Sequence, residues 1–231
     1  MRTWWIGVWL VLVSAAVAQA YEETLVENGA TLSGRVVFAG ERPAPAFQPV
    51  LKNQDVCGDR IPDESLVVSE EGGVANALVE VVGVSAGKPR GLAPASLDNE
   101  GCAFVPRVQA LVTGQSMEIR NSDPILHDAH AWLGSRTIFN LGLPEWRRVS
   151  HEFEESGLHE INCNVLHTWM KAWVFVADHP YVVVTGRDGR FSFEDVPVGR
   201  YEVRVWHERL GEKLRPVELG EAEAEVDFAF P

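Results

Sequence analysis

The sequence predicts an all-β protein, and two observations lead to that prediction. Apolar and polar residues alternate over short runs, and these runs are separated by Gly, Pro, Asn and Asp. Alternation with a period of two, bounded by turn residues, is typical of strands with one buried face, and no apolar stripe of helical period competes with it. We therefore expect a sandwich-like β fold.

The predicted strands follow this alternation along the whole chain. In order they are LSGRVVF (32–38), NALVEVVGV (76–84), FVPRVQALV (104–112), SMEIRN (116–121), RRVSHEFEE (147–155), GLHEIN (157–162), KAWVFVA (171–177), RFSFE (190–194) and RYEVRVWHE (200–208). The segment GSRTIFNLGLPEW, residues 134–146, breaks the alternation and is predicted to form an irregular loop. The segment NSDPILHDAH, residues 121–130, is also interpreted as a loop.

The first twenty residues, MRTWWIGVWLVLVSAAVAQA, have the features of a secretory signal peptide. One arginine precedes an apolar run, and small residues lead to Ala20, after which we expect cleavage. The alternative is an uncleaved anchor, but the apolar run is short for a bilayer core of roughly 30 Å. No other segment predicts a membrane span. The sequence therefore predicts an exported protein, periplasmic or secreted.

The charge balance bears on the class of partner. Lys and Arg number 20 against 33 Asp and Glu, which gives a formal net charge of −13. A nucleic-acid binder needs a basic patch to neutralise phosphates, so nucleic acid is not expected as a partner. A protein with a basic surface is the more natural electrostatic partner.

The three cysteines form an odd number in a chain expected to be exported, which implies one pair and one remaining thiol. Cys57 and Cys102 stand in loop-like contexts, VCGDR and NEGCAF, and we predict that they form a disulfide. Cys163 is then the free thiol. A free thiol is a liability in an oxidising compartment unless something occupies it, and a metal ion can do so.

The pattern of strands and turn residues changes near Pro180, which predicts a second module. Downstream, an Asp-Gly turn and a Pro-Val-Gly turn separate short strands, so residues 179–231 are predicted to form a small β-sandwich. The opening strand within residues 21–75 resembles the first strand of such a module, so this segment is a candidate part of the same sandwich. Residues 76–178 would then be a larger domain placed between the two parts.

Three potential ligands are crowded into CNVLHTWM, residues 163–170. Cys163, His167 and Met170 lie between a predicted strand and the next, so a short loop can direct all three side chains to one point. Thiolate and thioether are soft ligands and imidazole is borderline, a mixture that suits both oxidation states of copper, whereas zinc sites rarely include Met. The alternative is that the three are ordinary packing residues.

A fourth ligand is expected from NSDPILHDAH. Its Asn or Asp can fix neighbouring backbone and orient a histidine ring, as metal sites require. His127 is the first candidate, and His130, three residues later, is the alternative.

Together, the NSDxxxH loop and the distal Cys-His-Met loop resemble the cupredoxin family of blue copper proteins, over residues 76–178. The resemblance implies a Greek-key β-sandwich that binds copper through His127, Cys163, His167 and an axial Met170. The run from residue 167 to residue 208 also resembles bacterial exported proteins in which a plastocyanin-like domain is joined to a carboxypeptidase-regulatory-like β-sandwich of the immunoglobulin or transthyretin type.

One departure from the cupredoxin pattern concerns the ligand spacing. The spacing Cys-x3-His-x2-Met is similar to that of the two-copper site of cytochrome oxidase, which has a second cysteine four residues upstream of the first. This chain has His159 at that position. We therefore expect one copper ion, with a second metal near His159 as the alternative.

The resemblance implies one-electron transfer to or from a protein redox partner. Four protein ligands leave no open position for a substrate, so an enzyme is not expected. Two other functions stay open from the sequence: a copper chaperone or storage protein, and a non-redox interaction module.

Overall fold

The computed structural model describes residues 20–91 and 93–231, and residues 1–19 of the predicted signal peptide lie outside the described residues. The described chain is built almost entirely of strands, with a single one-turn helix, α1 (Gln54–Cys57). The strands in chain order are β1 (Glu22–Glu23), β2 (Ala30–Phe38), β3 (Phe47–Pro49), β4 (Arg60–Pro62), β5 (Leu78–Val82), β6 (Ala86–Gly87), β7 (Ala95–Glu100), β8 (Ala103–Val105), β9 (Val108–Val112), β10 (Gln115–Asn121), β11 (His127–Leu133), β12 (Arg136–Leu143), β13 (Arg148–Phe153), β14 (Gly157–Asn162), β15 (Lys171–Ala177), β16 (Val182–Val184), β17 (Arg190–Val196), β18 (Gly199–His207), β19 (Gly211–Leu219), β20 (Ala224–Glu225) and β21 (Phe228–Phe230).

The first sandwich consists of strands β7 to β15. One sheet has the order β13-β10-β7-β8 and the other the order β12-β11-β14-β15-β9. Pairs β7–β10 and β9–β15 are parallel, and the other pairs are antiparallel. Alternate side chains, such as Met117 and Ile119 on β10 and Ile161 on β14, are fully buried in the core of this sandwich. The alternation in the sequence therefore corresponds to inward and outward faces, as expected for an all-β sandwich.

The second sandwich combines strands from both ends of the described chain. Its sheets have the orders β16-β5-β18-β19 and β17-β2-β20, and β21 also pairs with β2. Strand β5 lies within the segment 76–178 that the sequence assigned to the larger domain, yet it is hydrogen-bonded to β16 and β18. Sheet pairing thus groups Leu78–Val82 with the C-terminal strands. The first sandwich is inserted between β5 and β16.

The two sandwiches pack against each other through an apolar interface. Phe175 on the outer face of β15 and Leu78 of β5 belong to one buried cluster between them. Trp173 and Trp206 meet edge to face, with ring centroids 5.2 Å apart. At the side of this interface, Arg107 forms a two-point ion pair with Glu208 at 2.6 and 2.9 Å.

Two loop predictions are wrong. Residues 136–143, predicted to lie in an irregular loop, form strand β12, which pairs with β11 through a register shift between Ala131 and Trp132. An edge strand with one inner neighbour buries few of its side chains, so its apolar alternation is weak. His127 also opens a strand, β11, and does not lie in a loop.

The predicted disulfide between Cys57 and Cys102 is confirmed. It joins α1, which lies in the connection between the paired strands β3 and β4, to the turn between β7 and β8. Cys163 is the free cysteine and is buried. Within the described residues, no helix has the length and apolar character needed to cross a membrane.

Candidate metal centre

Three potential ligand atoms converge inside the first sandwich. Cys163 Sγ lies 3.9 Å from His127 Nδ1 and 3.6 Å from His167 Nδ1, and the two Nδ1 atoms lie 3.0 Å apart. His127, Cys163 and His167 are 0%, 3% and 1% exposed. We call these three residues the donor cluster. They form a group whose ligand atoms all lie within 4.8 Å of one another.

The loop between β14 and β15 brings two of these residues together. The Cys163 N–H donates to the Met170 carbonyl at 3.4 Å, and the Met170 N–H donates to the His167 carbonyl at 2.9 Å. Leu166 takes a left-handed conformation with φ 73°, which turns the chain just before His167. The loop is therefore folded back on itself, and this allows ligands four residues apart to face the same point.

The segment from Asn121 to His127 supplies the third member of the donor cluster. The Asn121 side-chain amide donates to the carbonyls of Ile125 at 2.7 Å and Leu143 at 2.8 Å, and its oxygen accepts the Asp123 N–H at 3.0 Å. A short amide side chain that bonds its own neighbouring backbone stabilises a turn of this kind. Asn121 thus fixes the backbone that leads to His127.

Asp123 orients the ring of His127. One carboxylate oxygen, Oδ2, accepts hydrogen bonds from His127 Nε2 at 2.9 Å and from the Cys102 N–H at 2.8 Å, while Oδ1 accepts the Gly101 N–H at 2.8 Å. Burial by itself raises the pKa of Asp123, but the hydrogen bonds from His127, Cys102 and Gly101 outweigh burial and lower the pKa overall. The carboxylate is therefore ionised, and it accepts the ring N–H.

Asn53 has the same relation to the second histidine. Its side-chain carbonyl Oδ1 lies 2.9 Å from His167 Nε2 and accepts the ring N–H. A neutral imidazole carries one N–H, so when Nε2 donates, Nδ1 presents a lone pair. With Asp123 and Asn53 as the outer acceptors, the Nδ1 atoms of both rings are directed towards each other and towards the thiol of Cys163. Ring nitrogens that converge while their outer nitrogens are hydrogen-bonded have the arrangement that a metal site requires.

The protonation of the buried groups agrees with that interpretation. Burial, with contributions from His127 and Lys52, lowers the pKa of His167 to about 4, so this imidazole is neutral near pH 7. Burial raises the pKa of the Cys163 thiol to about 11, so the thiol stays protonated until a cation displaces its proton. The backbone N–H of Asp128 lies 3.5 Å from Cys163 Sγ and can stabilise a thiolate there.

The other residues named from the sequence have distinct positions. Met170 is 1% exposed and belongs to the same core as Cys163, with its backbone bonded within the ligand loop. His130 is bonded through Nε2 to Thr137 at 3.0 Å, its Nδ1 accepts from Asn164, and it stays outside the donor cluster. His159 packs edge-on against Phe153, with centroids 5.2 Å apart, and is not part of the donor cluster either.

Sequence reasoning missed the contribution of Asn53. It lies 114 residues before His167, and no local pattern in the sequence pairs the two. The role of the Cys102 N–H as a donor to Asp123 was missed as well, because a backbone group leaves no mark in the sequence. Trp169 packs on His167 with ring centroids 5.2 Å apart, and its Nε1 donates to the Cys102 carbonyl at 2.9 Å.

Comparisons with solved structures give copper proteins as neighbours. A copper-containing nitrite reductase from Thermus scotoductus SA-01 is 24% identical over 41% of this chain and 24% of its own, with a TM-score of 0.33. A purple cupredoxin from Nitrosopumilus maritimus is 23% identical over 36% of this chain and 99% of its own, with a TM-score of 0.32. A variant of amicyanin is 17% identical over 36% and 82%, with a TM-score of 0.33.

The matched part is less than half of this chain in each case, and this chain spans about a quarter of the length of the nitrite reductase. No protein-family model matches the chain, and no curated protein matches it in sequence.

Proposed function

We propose that this chain is an exported copper protein that transfers single electrons through one copper ion, which His127, Cys163 and His167 would bind, with Met170 as a weak fourth ligand. The observation that carries the proposal is the convergence of two imidazole nitrogens and one thiol within 3.0–3.9 Å, with both outer imidazole nitrogens hydrogen-bonded.

The donor set favours copper over the commoner alternatives. One thiolate with two imidazoles is a soft to borderline set that binds both Cu(I) and Cu(II), and hard cations such as Mg²⁺ or Ca²⁺ prefer oxygen. Bound copper would supply a one-electron couple. The chain's own part is to keep the three donors in place in both oxidation states, since Asp123, Asn121 and Asn53 fix the rings from outside the donor cluster.

Burial of the donor cluster suits electron transfer better than substrate chemistry. The three residues are at most 3% exposed, so the part of the chain that the structure describes covers them from solvent. Leu126 and Leu166, next in sequence to the two ligand histidines, are 51% and 61% exposed. Exposed apolar side chains next in sequence to buried ligands are suited to contact with another protein, and the formal net charge of −13 favours a partner with a basic surface.

The proposal is tested by titrating the metal-free chain, residues 21–231, with Cu(II). We expect one copper per chain, an intense thiolate-to-copper absorption in the visible range and a reversible reduction potential. Cys163→Ser should lose the absorption. Thiol counting on the denatured, unreduced protein should give one thiol per chain, as expected if Cys57 and Cys102 are joined before purification.

A matched pair of variants tests the choice of histidine. His127→Gly should open a position to added imidazole and change the spectrum, whereas His130→Gly, three residues away on the same strand, should leave the spectrum unchanged. Two coppers per chain would contradict the single site. Tight Cu(I) binding without a stable Cu(II) form would indicate a store or chaperone, and absence of copper binding would indicate an interaction module.

A further inference from the structure

Residues 50–57, which we call the strap, run from the core of the first sandwich to the disulfide. Val50 at one end is 1% exposed and packs in the same core as Cys163. Its N–H donates to the Asp59 carbonyl at 3.0 Å, and its carbonyl accepts the Gln54 side-chain amide at 2.8 Å. Cys57 at the other end is bonded to Cys102. The strap is therefore fixed at both ends, and Asn53 lies between them.

Asn53 has a backbone conformation that directs the chain into α1. Its φ and ψ are 57° and 40°, a left-handed conformation that Asn tolerates better than most residues. Its carbonyl accepts the N–H groups of Val56 at 3.0 Å and Cys57 at 2.8 Å. The backbone of Asn53 is thus tied to the disulfide-bonded turn, while its side chain accepts the ring N–H of His167.

The other half of the disulfide is tied to the other ligand histidine. The Cys102 N–H donates to Asp123, which accepts the ring N–H of His127. The Cys102 carbonyl accepts from Trp169, which packs on His167. Each cysteine is therefore directly hydrogen-bonded to a residue that accepts from a ligand histidine, and the disulfide joins the two outer supports of the donor cluster.

We propose that Asn53 is a positioning residue for His167, and that the Cys57–Cys102 disulfide holds Asn53 in place, so that cleavage of the disulfide releases the second imidazole. The proposal deepens the proposed function and rests on it for the identity of the metal. Among the described residues, Asn53 is the group that hydrogen-bonds His167 Nε2. Without it, Nε2 would bond to water, and the ring would no longer be fixed with Nδ1 towards Cys163.

The cleavage is an ordinary thiol–disulfide exchange with a dithiol reductant. A thiolate of the reductant attacks the sulfur of Cys57, which is partly exposed, whereas Cys102 is 0% exposed. The S–S bond breaks and Cys102 leaves as a thiolate that takes up a proton. The second thiol of the reductant then displaces Cys57. The reductant ends as a disulfide, having given two electrons, and the chain carries two additional thiols.

The test follows the exchange of imidazole N–H protons with solvent in ¹⁵N-labelled, metal-free protein. Asn53→Gly keeps the left-handed backbone and removes only the amide, so the Nε2–H of His167 should exchange about threefold to tenfold faster, as loss of one hydrogen bond predicts. The Nε2–H of His127, bonded to Asp123, is the internal control and should not change. Asn53→Asp keeps an acceptor and should restore slow exchange. Asp55→Ala, an exposed change in the same strap, should have no effect.

Reduction of the wild-type disulfide with dithiothreitol should accelerate the same His167 proton, and reduction of Asn53→Gly should add nothing further. An unchanged His167 rate in Asn53→Gly, or in the reduced wild type, overturns the proposal. Because this experiment uses metal-free protein, it separates the two ideas. If the wild type binds no copper, the proposed function fails, while the exchange rates still decide whether the strap positions His167.

Discussion

Replacing Asp123 with alanine should destabilise the metal-free protein strongly, because its carboxylate is the acceptor for buried donors. Asp123 is 6% exposed, and it accepts from Gly101, Cys102 and His127. Gly101 is exposed, so water can replace the carboxylate there. Cys102 and His127 are 0% exposed, so their N–H groups would be left without an acceptor.

The size of the expected destabilisation follows from those two buried N–H donors. A buried donor left unsatisfied costs about 1–3 kcal/mol, so the pair costs about 2–6 kcal/mol. Removing a carboxylate that was itself costly to bury offsets part of this loss, which leaves an expected destabilisation of about 3 kcal/mol. Copper affinity should also fall, by about 10- to 100-fold, because the ring of His127 loses its orienting partner.

The assay is urea unfolding of the metal-free protein, with Asp188→Ala as the matched control. The Asp188 carboxylate accepts the Arg190 N–H at 3.0 Å in an exposed turn, so its removal should cost only about 1 kcal/mol. The midpoint for Asp123→Ala should move well below that of the control at an unchanged denaturant slope. Equal midpoints for the two variants would refute the reasoning.

Three further predictions concern other parts of the molecule. Arg107→Ala should lower the free energy of unfolding in urea by about 3–5 kcal/mol, because it leaves Glu208 buried without its partner. The control is Arg136→Ala, which removes an exposed partner of Glu155 and should cost about 1 kcal/mol or less. Equal losses for the two variants would contradict the distinction between buried and exposed pairs. Burial lowers the pKa of His207 to about 4 from 6.5, so its contribution to stability is complete above pH 6.5 and is lost as the pH falls towards 4. In His207→Gln the free energy of unfolding should therefore change less with pH between 6.5 and 4. A pH profile identical to that of the wild type would contradict this prediction. Met170→Leu should keep the copper and raise its reduction potential, since loss of a weak neutral donor favours Cu(I). Metal analysis measures the copper content, and voltammetry measures the potential. Loss of copper would mean that the thioether is a principal ligand.

The alternation of apolar residues was sufficient to predict the all-β class, because each inward side chain must be matched by an outward polar one on a half-buried strand. The pattern failed at β12, residues 136–143, where an edge strand buries alternate residues only in part. The boundary predicted near residue 178 falls between β15 and β16, whereas the boundary predicted at residue 76 does not follow the sheets, since β5 pairs with strands that follow it by about a hundred residues. Strand pairing over such distances depends on the complementarity of whole sheet faces, which the local pattern does not record.

The approach of Cys163 and His167 within one loop could be predicted from the sequence, because eight consecutive residues fix how far apart those side chains can be. The same local reasoning left His127 and His130 as alternatives. In the structure the two histidines lie on opposite faces of β11: His127 belongs to the donor cluster, and His130 is bonded to Thr137 and Asn164.

What only the tertiary structure decided is the outer support of the donor cluster. Asn53, Asp123 and the Cys102 N–H come from three distant parts of the chain, and a disulfide with a sequence separation of 45 brings two of those parts together. Ligand identity depends on side-chain chemistry, which a sequence states directly. The protonation and direction of each imidazole depend on the group at its far nitrogen, and that group is chosen by chain folding in three dimensions.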